Sequence, residues 1–154
     1  MLVSSARSNG FFPSIIFKKI AMNISLDQAN VAIKAAQEKA RQLNVLQNVA
    51  IVDAGVNLVA FARMDEAWIG SIDVAMRKAR TARYFNMETG ELGKWSQPGG
   101  PGWQIEQSNG GLITIPGGIP IKNKKGEIIG AIGASGSTAE NDQLVAQAGV
   151  DAVK

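Results

Sequence analysis

The chain has 154 residues, 45% of them hydrophobic and 19% charged, the profile of one globular domain large enough to bury a core unaided. It contains no cysteine and no histidine, which excludes disulfides, thiolate clusters, serine–histidine triads and imidazole ligation of haem; no metal site is expected. The net charge of +3 comes from residues 1–24, which hold Arg7, Lys18 and Lys19 and no acid. The rest of the chain is balanced in charge, so no nucleic-acid-binding stripe is expected.

Residues 1–24 read as an N-terminal extension or leader and 25–154 as the folded domain. The leader is basic, contains serine and lacks acids, a composition similar to that of a transit peptide. Its apolar run, Phe11 to Phe17, is broken by Pro13 and is too short to span a membrane. A retained extension, a targeting segment and an upstream start preceding Met22 all remain open. A cytoplasmic location is favoured, with organelle targeting by residues 1–24 as the alternative.

In chain order, residues 25–44 predict an amphipathic helix. Ser25 is placed as its N-cap, with Gln28 completing a capping box, and Asn44 as its stop. Val49–Val52 and Leu58–Ala62 predict a hairpin around the turn Asp53-Ala54-Gly55-Val56-Asn57. Residues 70–85 predict a second helix with Ser71 as N-cap, and a short helical piece around Glu88 to Trp95 precedes the Gln97-Pro98 break. Leu112–Ile115, Ile119–Lys122 and Glu127–Ala134 predict three further strands, the first two joined at Gly117-Gly118. Ser137-Thr138-Ala139-Glu140 signals a last helix running to about Val153. Hairpin connections dominate. The expected fold is therefore α+β, a single domain with a central, mainly antiparallel five-stranded sheet and packed helices.

Nine of the 17 glycines fall between Gly90 and Gly118. Glycine admits positive φ and close approach at an entropic cost, and long ordered loops are usually functional. Within this loop, Trp103 is a candidate to stack on a flat ligand, as is Trp95. Asn109, Gly110 and Gly111 are candidates to present amide donors. Glu106, beside Trp103 and Ile105, is the candidate proton-transfer group, because an apolar setting raises a carboxyl pKa. Arg63, Lys78 and the Arg77, Arg80, Arg83 row are candidate anion anchors. Each has a structural alternative: an ordinary turn, a plug onto the core, a solvated helix face, or a lysine stem running past Ala75 and Ala82. Asp53 and Asp65 read as turn formers.

The stretches VAIVDAGVNLVAFARMDEAWIGSIDVAMRKARTA and SQPGGPGWQIEQSNGGLITIPGGIPIKNKKGEIIGAIGASG together resemble the GlcG/HbpS-like family, over roughly residues 25–154. That family includes haem-binding proteins and the C-terminal domain of PduO-type proteins. The resemblance implies homo-oligomers and binding of tetrapyrroles or other small ligands. Family members can place a histidine near the loop glutamate, whereas here the loop reads Glu106-Gln107-Ser108-Asn109. Haem or porphyrin binding is therefore open only without a histidine ligand, with Met64, Met76, Met87 or Tyr84 as the remaining side-chain ligands of iron. The favoured function is binding of a flat or anionic small molecule. The alternatives are an enzyme or metabolic accessory acting on a small organic acid through Glu106, and a structural assembly protein.

Overall fold

The computed structural model describes residues 23–153. The elements are α1 (Leu26–Gln42), β1 (Asn48–Asp53), β2 (Leu58–Arg63), α2 (Gly70–Phe85), α3 (Thr89–Trp95), a 3-10 turn (Ile105–Gln107), β3 (Gly118–Lys122), β4 (Ile128–Ser135) and α4 (Ala139–Asp151). The leader lies outside the described residues except for Asn23 and Ile24. Ile24 is buried in the core, and its N–H donates to the Ile129 carbonyl.

Local chemistry accounts for most element ends. The Ser25 hydroxyl accepts from the Gln28 N–H while the Gln28 side chain accepts from the Ser25 N–H, closing the capping box of α1. Asp53 Oδ1 accepts from the N–H groups of Gly55 and Asn57, which folds the β1–β2 turn around itself. Thr138 caps α4 through the Asn141 N–H. The α2 cap differs from expectation. The helix spans the expected residues 70–85, but its N-cap is Ile69, without a side-chain hydrogen bond, and Ser71 is buried inside its first turn.

The strands form one antiparallel sheet in the order β2-β1-β4-β3. Alternation along β1 divides the molecule into two layers. Val49 and Ile51 face α1 and α4 together with Ile121, Ile132 and Ala134, whereas Ala50 and Val52 face α2. The α2 layer is thin because alanine meets glycine: Ala75, Ala79 and Ala82 lie on β4, and a Cβ at Gly133 would collide with the Ala75 backbone carbonyl.

The sheet has four strands, not the five expected. Leu112–Ile115 forms no strand and pairs with none, because side-chain hydroxyls take the groups along the edge it would occupy. The Thr89 hydroxyl donates to the Ile115 carbonyl (2.7 Å) and accepts from the Gly118 N–H (2.9 Å) at the outer edge of β3. Ile113 N–H is taken by the Thr81 hydroxyl on α2 (3.1 Å). Gly118 accordingly belongs to β3 rather than to a two-glycine turn. Among the described residues, no helix is long and apolar enough to cross a membrane.

Candidate functional site

Seven of the candidate residues separate into three places. Trp103, Glu106, Asn109, Gly110 and Gly111 lie together on the connection between α3 and β3. Lys78 points into the protein interior from α2, and Arg63 ends β2 on the surface.

The connection is a tightly bonded surface structure. Its chain reverses through Gln104 (φ 66°), Asn109 (φ 52°) and Gly110 (φ 73°). Leu112 N–H donates to the Glu106 carbonyl (2.8 Å), and Arg77 Nη1 donates to the carbonyls of both Gly110 and Gly111. Arg77 is thus the cation at this loop, and its guanidinium is shared between backbone carbonyls and the Asp73 carboxylate. Trp103 and Trp95 both stay exposed, and Gly102 N–H donates to the Trp95 carbonyl. Five cavities among the described residues lie elsewhere, and none of them is lined by residues 97–111.

Glu106 corrects one expectation. Its carboxyl is held below its usual pKa, not above it, by hydrogen bonding first with Ser96 and also with Thr114, whose hydroxyl donates to Oε1 at 2.8 Å. Donors aimed at a carboxylate stabilise its charged form, and the neighbouring Trp103 and Ile105 do not enclose it enough to offset them. Glu106 is therefore an ionised acceptor at neutral pH.

Lys78 neither snorkels to water nor faces a cavity. It is completely buried, and Nζ donates to Asp142 Oδ2 at 2.7 Å and to the Ala134 carbonyl at 3.0 Å. The other oxygen, Asp142 Oδ1, accepts from Gln47 Nε2 (2.8 Å) and from the Ser137 N–H (3.0 Å). Burial pushes the Lys78 pKa down, and the Asp142 carboxylate opposes that shift. Gly117 (φ 119°) rests on this pair, and a Cβ there would stand 2.9 Å from Lys78 Nζ.

Arg63 is the candidate that lines a cavity. A groove of about 310 Å³ is bordered by Gln37, Arg41, Leu46, Arg63, Met64 and Asp65. It adjoins a second groove of about 440 Å³, with Leu46 common to both, whose walls include Ala67, Trp68, Gly136 and Thr138. Trp68 is two-thirds exposed (66%), so its indole is available to a ligand. Below this surface, Gln47 Oε1 and Asn48 Oδ1 are buried without hydrogen-bond partners. Sequence reading missed Trp68, Leu46 and Arg41. The visible signal was a tryptophan in the short connection between the turn at Asp65 and the start of α2. Arg41, in the last turn of α1, reads simply as a helix-end cation.

Residues 24–151 match the family described as haem degrading protein HbpS-like. An uncharacterized 15.0 kDa protein from the dhaT-dhaS intergenic region of Citrobacter freundii is 36% identical over 129 residues, covering 83% of this chain and 90% of that protein. The crystal structure of Klebsiella pneumoniae protein ORFY superimposes with a TM-score of 0.83 at 34% identity, over 91% of this chain and 97% of that one. A PduOC:heme complex superimposes with a TM-score of 0.80 at 34% identity, over 84% and 94% of the two chains.

Lys78→Met should destabilise the protein by about 3–5 kcal/mol, because it leaves the Asp142 charge buried and unpaired. The double variant Lys78→Met/Asp142→Asn should recover part of that loss; urea denaturation of both variants checks it. Glu106 supplies a pH test with a definite sign. Its folded pKa lies below the usual 4.5, so its contribution is complete above about pH 4.5 and is lost as pH falls through the lowered value. Amide exchange at Leu112 should accelerate over that acidic range, and Glu106→Gln should abolish this pH dependence.

Proposed function

Because the chain belongs to the HbpS-like family, we propose that it binds a flat, anionic small molecule of the tetrapyrrole class, without histidine coordination. The observation that carries this reading is the double groove around Leu46, where an exposed indole and two guanidinium groups line adjoining surfaces. Trp68 offers a face for stacking, and Arg41 and Arg63 offer forked donors for carboxylates. Among the described residues, the Arg41 side chain is held by an exposed contact with Glu38 (3.3 Å), which a ligand carboxylate can replace at little cost.

A haem fits this donor set as a planar dianion, its carboxylates toward the arginines. Met64 is the side chain on the groove that could approach iron. Iron, where present, would supply redox and ligand-binding chemistry; the chain's own residues orient the macrocycle and neutralise its carboxylates. The relative solved with heme supports this reading. For the alternative of an enzyme with Glu106 as proton-transfer group, a carboxyl held in its ionised form leaves it the role of a base rather than an acid.

A second reading has its own observation. Trp95 and Trp103, about half exposed on backbone joined by the Gly102 N–H to Trp95 carbonyl bond, offer apolar surface suited to a second copy of the chain. Homo-oligomer formation through the glycine-rich connection is compatible with ligand binding on the separate groove.

Absorbance titration with hemin and with metal-free protoporphyrin IX should show saturable binding at micromolar concentration. Trp68→Ala and Arg63→Ala should each weaken it by about ten-fold, while Trp103→Ala leaves it unchanged. No saturation, or equal binding by all variants, refutes this site. Mass measurement by light scattering should find an oligomer that Trp95→Ser/Trp103→Ser dissociates; a strict monomer removes the second reading.

A further inference from the structure

The largest of the five cavities lies on the opposite edge of the sheet from β2 and has no part in the site proposed above. Its volume is about 500 Å³, and it runs along the outer side of β3, between the α2–α3 junction, the β3–β4 turn and α4. That volume falls within the range of small-molecule sites.

The floor and the rim differ in chemistry. Ile119, Pro120 and Val150 form a buried apolar floor, and Met87 is a half-buried wall. The exposed rim carries Lys122 and Lys124. Among the described residues, neither lysine makes an ion pair. The groove's own acid, Glu88, already accepts from Gln143 Nε2 (2.9 Å), and Gln147 Nε2 is donated to Asp151 (2.9 Å). What remains for an incoming molecule is an apolar bed with two uncommitted ammonium groups at its mouth.

We infer that this groove binds an amphipathic monocarboxylate, with its alkyl body on Ile119, Pro120, Val150 and Met87 and its carboxylate between Lys122 and Lys124. Charge complementarity selects the anionic head, and the buried floor selects an apolar tail. A peptide strand added to the β3 edge is a poorer occupant. Pro120 has no N–H to offer a neighbouring strand, and the Gly118 N–H is already taken by the Thr89 hydroxyl. The inference is independent of the Trp68 groove, which shares none of these residues.

The test uses sodium octanoate as the probe and two-dimensional amide NMR of the full chain. Octanoate should shift the amides of Ile119, Lys122 and Val150 saturably. Lys122→Gln/Lys124→Gln should weaken its Kd roughly five- to ten-fold, as expected for losing two partly screened ion pairs. Met87→Trp, which fills the groove, should abolish the shifts, whereas Lys34→Gln on α1 and Trp68→Ala should leave them unchanged. Octylammonium, with the same tail and the opposite charge, should not bind. Octanoate binding that survives the double lysine substitution, octylammonium binding equally well, or shifts that never saturate would each overturn the proposal. Failure of hemin to bind bears only on the Trp68 groove.

Discussion

The ion pair between Lys78 and Asp142 is the constraint on which the arrangement of this domain rests. Two charges removed from water are tolerable when they pair closely and further hydrogen bonds satisfy most of their remaining donors and acceptors. Here the match draws in five separate segments: α2 through Lys78, the end of β4 through the Ala134 carbonyl, the entry to α4 through Ser137 and Asp142, the start of β1 through Gln47, and the end of the glycine-rich connection through Gly117. A shift of α2, β4, the entry to α4 or Gln47 would cost a buried charge one of its hydrogen bonds. The pair therefore fixes where α4 begins relative to β1, and so shapes the groove between Leu46 and Thr138.

That rigidity explains why the glycine-rich connection need not itself be a binding pocket. Its glycines serve turns and close approach, and its polar groups are largely spent on itself and on α2, with Arg77, Thr81, Thr89 and Thr114 holding carbonyls, N–H groups and the Glu106 carboxylate. Uncommitted groups beside cavities occur at both edges of the sheet. Near β2 they are an indole and arginines, suited to a planar anion. Along β3 they are lysines over an aliphatic floor, suited to a flexible one. Arginine's rigid fork and lysine's mobile point charge match those two kinds of ligand.

Element identity was legible wherever its cause was local. The capping box at Ser25 and Gln28, the self-bonded turn at Asp53 to Asn57 and the Thr138 cap each involve partners within four residues. The family likeness was legible as well, because its motifs occur in a fixed order along the chain. The strand expected at Leu112–Ile115 failed for a tertiary reason: its composition suits a strand, but the Thr89 hydroxyl occupies the edge it would have paired with. Glu106 was misjudged because apolar neighbours in sequence are not a measure of enclosure, and the hydroxyl of Thr114 comes from eight residues away.

Composition therefore excluded imidazole and thiol chemistry, and local pattern indicated an α+β domain, since those conclusions need only residue types and short-range order; the family came from the resemblance of ordered motifs. Which cations are free was decided by tertiary structure. Lys78 and Arg63 look alike in sequence as basic residues near predicted element ends or faces. One is sealed against an aspartate 64 residues away, and the other is left on a groove beside α1. The cost of burying an unpaired charge makes that assignment depend on the partner, and Asp142 reaches Lys78 only once α4 has packed back onto the sheet.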